Sequence, residues 1–310
     1  MATSTIAQYE ATLALDMRDR IGEGPAWDGK NHRLLWADHE KGVIHGAKPD
    51  PTGAWEETGR WDLGRPLAAV IPRKRGGLIV AGGLDVFSMD EAGRTEPFVS
   101  IEADPRKVRL NDAKCDPRGR LWAGSLTNDF SAGGAALYRI DPDGSVRTML
   151  DRLTLSNGLD WSPTGETFYF IDSVTCGIDA FDYDLERGTL SNRRTFVTLE
   201  RGCGVPNGMT VDRDGCVWVA ATGAGEVQQY SPAGDLLGRV HIATPGATSC
   251  AFGGVGGDVL CITALGRRMG EVALKLGVTE DKMENNGPGG GGLFTCRTGA
   301  RGAPATAFAG

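Results

Sequence analysis

A short apolar strand preceded by a turn recurs along this chain, and that recurrence limits the fold more than any other feature. The aligned segments cover residues 33–37, 77–81, 120–124, 167–171, 216–220 and 258–262. Taking Leu34, Leu78, Leu121, Phe168, Val217 and Val259 as equivalent, the successive intervals are 44, 43, 47, 49 and 42 residues. Most units carry a second strand that ends in a turn, as at 136–140 before Asp141-Pro142-Asp143-Gly144 and at 226–230 before Ser231-Pro232-Ala233-Gly234. Helical periodicity is confined to the short stretch 270–276. Six units of this size, each with several short strands, predict an all-β chain: a six-bladed β-propeller with four-stranded blades. A pair of β-sandwiches or another β-solenoid is the plainer alternative. The 46 glycines suit many tight turns between short strands.

A propeller ring must close, because an open edge strand invites pairing with other chains. The strand at 11–17 is expected to join the last blade beside 305–310. Residues 1–13 are expected as a tail and 14–310 as one propeller domain. A propeller also gathers chemistry at one place, since the innermost strands converge on the axis and the loops leading into them meet at one mouth.

The charge balance bears on partners. Lys and Arg number 33 against 40 Asp and Glu, a net charge of −7. Such a surface repels nucleic acid and anionic lipid, so neither is expected as a partner. No run of about 18 apolar residues is present to span a membrane. Residues 1–7 lack the basic and apolar regions of a signal peptide. The seven cysteines are odd in number and form no C-x-x-C pair, which predicts reduced thiols in a cytoplasmic protein. A monomer is the default for a closed ring.

About ten residues ahead of the aligned strands lie segments rich in Gly, Asn or acid. They are Ile21-Gly22-Glu23-Gly24-Pro25, Val108-Arg109-Leu110-Asn111-Asp112, Leu155-Ser156-Asn157-Gly158-Leu159 and Val205-Pro206-Asn207-Gly208-Met209. Glu23, Asn157 and Asn207 would supply oxygen ligands from three blades to a metal site on the central axis. One carboxylate with carboxamide oxygens suits a hard divalent ion such as Ca²⁺ or Mg²⁺, and Zn²⁺ or Mn²⁺ is also compatible. The four histidines, His32, His39, His45 and His241, form no H-x-H or H-x-x-x-H pair for a His-rich zinc site. From spacing alone the plainer reading is favoured, that N-G and E-G are turn chemistry.

Other chemistries find less in the sequence. Gly124-Ser125 makes no G-x-S-x-G elbow. No G-x-G-x-x-G stands between a strand and a helix, and "GPGGGG" at 287–292 lacks the Lys and Ser/Thr of a phosphate loop. The Trp-Asp pairs at 27–28 and 61–62 lack the G-H partner of a WD40 repeat.

Over residues 14–310 the chain resembles the regucalcin/gluconolactonase family of six-bladed propellers, which are metal-dependent sugar lactonases. The likeness rests on "GEGPAW" at 22–27, "RLNDAKCDPRGRLWAGS" at 109–125, "SNGLDWSP" at 156–163, "IDAFDYDLERGTLSNRR" at 178–194, "TSCAFGG" at 248–254 and the final "AFAG". The resemblance implies that Glu23 and Asn157 hold the metal. It implies that Arg109 and Asn111 bind substrate hydroxyls and that a further acid, aligned with Asp129, lies near the substrate. The family's remaining metal ligand is an Asp that also serves as general base, and here that position is Asn207. Asn can ligate through its amide oxygen but cannot accept a proton at neutral pH.

Losing a positioned base typically costs ~10²–10⁴ in rate unless another group takes its place. Asp112, Asp129 and Asp172 are the candidates, beside metal-bound hydroxide. Asn207 leaves three readings open: an Asp replaced in this sequence, hydrolysis through another base, or a different reaction. The expected function is lactone hydrolysis with one divalent metal ion. The alternative is a propeller of this family that binds a metal and a small molecule without turnover, as in calcium handling. The loop 265–292 is expected as a lid or as a surface insertion.

Overall fold

The computed structural model describes residues 5–200, 204–266 and 287–310. Both the stretch 270–276 and the greater part of the loop 265–292 lie outside them. Six sheets follow one another in chain order. Their innermost strands are Gly22–Asp28, Ala69–Pro72, Val108–Cys115, Ser156–Trp161, Val205–Val211 and Ala247–Gly253. Each of these packs against the next, and the last packs against the first, so the ring is closed.

The segments expected as loops are therefore the inner strands themselves. The apolar segments that define the repeat are the second strands, such as Arg33–Asp38, Thr167–Asp172 and Val217–Thr222. Their near-continuous burial explains their uniform apolarity, because each is covered by neighbouring blades on both faces. Outer strands such as Trp55–Asp62 have one wet face and alternate accordingly.

Aromatic side chains fill the wedges between blades. Trp122, Trp161, Phe168 and Phe170 form one such cluster and Trp218 with Phe252 anchors another. Full burial of side chains of this size contributes about 1.5–3 kcal/mol each. The indoles are pinned as well as buried. Trp122 Nε1 donates to Asp116 Oδ2 at 3.2 Å and Trp218 Nε1 donates to Asp212 Oδ2 at 2.8 Å. Each Asp stands one residue past an inner strand and six residues before its indole.

Closure is made by the N-terminal segment, with a partner other than the one expected. Thr12–Leu15 is the outer strand of blade six, antiparallel to Leu293–Cys296 rather than to 305–310. The expected boundary between tail and propeller at 13/14 falls inside that strand. Ahead of it, Ala7–Glu10 runs parallel to Leu236–His241 as a fifth strand on blade five. The C-terminal residues cross the end of the axis where the inner strands finish. Ala305 N donates to Trp27 O, Phe308 N to Pro72 O and Ala309 N to Gly119 O. Phe308 is fully buried there. Among the described residues no helix is long and apolar enough to cross a membrane.

Candidate functional site

Five of the six inner strands are interrupted near their starts, where the register slips between Glu23 and Ala26, Leu110 and Asp112, Ser156 and Leu159, Pro206 and Met209, and Ala247 and Ser249. Such bulges re-aim side chains. Blade three shows the effect in its burial pattern. Arg109 and Asn111 are partly accessible before the slip and Asp112 and Lys114 after it, while Val108, Leu110, Ala113 and Cys115 stay buried. A regular strand would alternate throughout. The slip lets polar residues of both parities face the axis.

The N-G dipeptides are not turns. Neither Gly158 nor Gly208 has a positive φ. A Cβ on Gly158 would lie 2.6 Å from Asn207 O, and one on Gly208 would lie 2.0 Å from Ser249 Oγ. Glycine is needed because adjacent inner strands approach this closely. The turn reading favoured by spacing alone is thereby overturned for the two N-G pairs, whereas Gly24 of the E-G pair does take a positive φ, of 60°.

The structure brings Glu23, Asn111, Asn157 and Asn207 to one end of the axis. Asn111 Nδ2 donates to Asn157 Oδ1 and to Ser156 O, both at 2.8 Å. The Asn207 amide lies beside the Glu23 carboxyl and favours its charged form. Burial raises the Glu23 carboxyl well above the usual carboxylate range, and the nearby Asp112 charge adds to this, against hydrogen bonds from the Gly24 main chain and Asn207. Burial also raises Asp112, to about 6, with Asp160 adding, while Lys114 and the Ala113 main chain oppose. Beyond Asp112 the axis opens into a cavity of about 300 Å³ toward the C-terminal segment. There Lys114 Nζ pairs with Asp160 Oδ2 at 2.8 Å and donates to Met209 O at 3.0 Å.

Other expected residues fall differently. Arg109 Nη1 donates to Asn128 Oδ1 at 2.7 Å. Asp129 is exposed and accepts from Ser131 N at 3.0 Å. Asp172 is buried with its two oxygens on the main-chain N–H groups of Thr154 and Leu155, each at 3.0 Å, which makes it a loop anchor.

Sequence reasoning missed a ring of residues behind the site. Ser173 Oγ accepts from Asn157 Nδ2 at 2.7 Å and donates to Pro206 O of the next blade at 2.6 Å. Thr222 Oγ1 accepts from Asn207 Nδ2 at 3.1 Å and donates to Ala247 O of the next blade at 2.6 Å. Thr248 Oγ1 donates to Gly22 O at 2.5 Å, joining blade six to blade one. His39 holds the equivalent place in blade one: its ring lies beside the Ala68 main chain, and burial lowers its pKa to about 4. Its Nε2 is buried with no partner. A signal was available, since His39, Ser173 and Thr222 each stand five residues past the repeat-defining position, at Leu34, Phe168 and Val217.

The donor set fits a hard cation on two observations. Asn207 Oδ1 is buried with no hydrogen-bond partner. Glu23 is a buried carboxyl beside Asp112 with no Lys or Arg ion pair among the described residues. Among those residues no three His, Cys, Asp or Glu side chains gather as a metal cluster, consistent with a set made chiefly of amides.

Comparison with known proteins identifies the family. Residues 21–266 match the SMP-30/Gluconolactonase/LRE-like region. Regucalcin of Danio rerio is 35% identical over 263 residues, covering 84% of this chain and 88% of that protein. A candidate sugar lactone lactonase, YvrE, of Bacillus subtilis (strain 168) is 32% identical over 305 residues, covering 97% and 99%. The crystal structure of a luciferin-regenerating enzyme superposes with a TM-score of 0.85 at 26% identity, covering 96% of this chain and 99% of that one.

Proposed function

The chain belongs to the SMP-30/Gluconolactonase/LRE-like family, and on that premise we propose that it hydrolyses a sugar-type lactone to the hydroxy acid. The observation that carries the reading is the meeting of Glu23, Asn157 and Asn207 at one end of a closed axis, with an unpartnered amide oxygen among them. These three residues would hold a divalent cation, Ca²⁺, Mg²⁺, Mn²⁺ or Zn²⁺, which when bound polarises the lactone carbonyl and stabilises the developing oxyanion. Arg109 and Asn111 orient the ring through its hydroxyls, with Asn128 holding the Arg109 guanidinium.

Asn207 cannot take the proton of the attacking water. Asp129 is exposed and Asp172 is fully occupied by main-chain N–H groups. Asp112 remains: it follows Asn111, lies within electrostatic reach of Glu23 and borders the axial cavity. Its carboxylate accepts the proton as the water oxygen bonds to the carbonyl carbon. The ring C–O bond then breaks and the departing oxygen is protonated, so lactone plus water gives hydroxy acid. The six described cysteines are all unpaired, which suits a reducing compartment such as the cytoplasm.

A second reading, a family propeller that binds without turnover, is favoured by Asn207, an amide beside the Glu23 carboxyl that cannot accept a proton. A panel of aldonolactones, assayed for acid release with each cation and after chelation, separates the two. Turnover that disappears with the cation supports hydrolysis. Tight cation binding with no lactone opened selects the second reading.

A further inference from the structure

Asn157 and Asn207 are held by the same device in successive blades. In each, a hydroxyl at the end of the second strand stands between the amide and a main-chain carbonyl of the next blade's inner strand. A carbonyl only accepts, and a hydroxyl has one hydrogen. At 2.6 Å from Pro206 O and from Ala247 O, Ser173 and Thr222 must each spend that hydrogen on the carbonyl. Each hydroxyl can then only accept from the Asn, so the atom facing it must be Nδ2. The amide orientation follows from the network and does not depend on telling nitrogen from oxygen by shape. Oδ1 is left as the outward acceptor at both positions. At Asn157 it receives Asn111 Nδ2, and at Asn207 it has no partner.

We infer that Ser173 and Thr222 are positioning residues that read positions 157 and 207 as amides and fix both Oδ1 atoms as the acceptors of the axial site. This rests on the reading of Glu23, Asn157 and Asn207 as a cation site. It also gives Asn207 a place in the design. A carboxylate at 207 would set an oxygen against the Thr222 lone pairs, or would draw the Thr222 hydrogen away from Ala247 O. The chain is fitted to Asn here and not merely tolerant of it. Residues behind metal ligands typically contribute 10–100-fold in metal affinity, which sets the size of the expected effect.

The test is a double-mutant cycle between Thr222→Val and Asn207→Asp, with Thr222→Ser as the conservative variant and Ser173→Ala as the parallel change in blade four. Two quantities are read: the melting temperature in chelator, and the affinity for Ca²⁺, Mg²⁺, Mn²⁺ and Zn²⁺ by calorimetry. Thr222→Val and Ser173→Ala should each weaken cation binding ~10–100-fold, and Thr222→Ser should retain it. In chelator, Thr222→Val should lower the melting temperature of the Asn207 protein, but leave unchanged or raise that of Asn207→Asp. An equal effect in both backgrounds overturns the inference, since the hydroxyl is then indifferent to the group it faces. If the unmodified protein binds none of the four cations while the chelated cycle keeps its sign, the amide lock stands and the cation reading fails. If Thr222→Ser behaves as Thr222→Val, packing and not the hydroxyl is at work, and the inference fails.

Discussion

Asp112→Asn should move stability and activity in opposite directions. The Asp112 carboxyl is held near 6 in the folded protein, chiefly by burial, against about 3.8 for the ordinary side chain. Between those values the folded protein binds more protons than the unfolded chain, so stability falls as pH rises from about 4 to about 6 and is flat above. Two pKa units correspond to about 3 kcal/mol at most. The half-buried side chain borders a cavity, and solvent there reduces the penalty to about 1–2 kcal/mol. Asparagine keeps the shape and removes the charge. Chemical denaturation should therefore show Asp112→Asn more stable than the parent by about 1–2 kcal/mol at pH 8, and nearly equal to it at pH 4. The groups facing Asp112 are Glu23, Lys114 and Asp160. Asp160 keeps its Lys114 partner in the variant while Glu23 loses the Asp112 charge that helps raise it, so the pH dependence that disappears belongs to Asp112 and to its effect on Glu23. Lactone turnover should fall ~10²–10⁴-fold, with KM little changed, as expected on losing a positioned base. The parent's rate should rise with pH through about 6, and that limb should vanish in the variant. A variant that keeps its turnover and its acid limb would refute Asp112 as the proton acceptor. A variant less stable at pH 8 would refute the account of its burial.

Gly158→Ala and Gly208→Ala should each destabilise by about 2 kcal/mol or more, because the new methyl meets Asn207 O at 2.6 Å or Ser249 Oγ at 2.0 Å, and thermal unfolding reads the loss. Arg109→Ala should lower kcat/KM for hydroxylated lactones by ~10–100-fold, the value of a hydrogen bond to a charged group. Asp129→Ala should stay within about twofold in the same steady-state assay, since it is exposed and bonded only within its own turn.

The blades were legible because each second strand is buried on both faces, and such a strand can only be written as an unbroken apolar run. Val217–Thr222 shows this, with every residue buried. The inner strands were hidden for the opposite reason. Each is broken by a bulge and carries Gly, Asn, Asp or Glu, so Val205–Val211 reads as a loop although it is the wall of the axis. Asn157 and Asn207 were found by their offset from the repeat, yet the glycines after them were read as turn formers. Their function is to admit a neighbouring strand, and the residue they meet there is 49 positions on for Gly158 and 41 for Gly208. Asp129 was expected near the substrate because the family resemblance implies an acid just after this strand, and Asp129 is the first acid there. Beside it Asn128, whose neutral side chain drew no notice, accepts from the Arg109 guanidinium. Ser173 and Thr222 escaped because a hydroxyl ending a strand is common, and only the carbonyl of the next blade gives it a purpose.

That carbonyl ties the site to closure of the ring. Asn111 donates to Ser156 O, Ser173 to Pro206 O, Thr222 to Ala247 O and Thr248 to Gly22 O. Three of these carbonyls belong to the residue just before Asn157, Asn207 and Glu23, so each blade positions the candidate ligand of the blade that follows. Blade six can position Glu23 only when the ring is closed, and Thr12–Leu15 completes blade six from the other end of the chain. A site made this way cannot assemble in a partly closed propeller, because its first ligand is positioned by its last blade. Cation binding by the buried Glu23 carboxyl should therefore stabilise the closed ring as a whole, with the gain set by cation concentration relative to its dissociation constant.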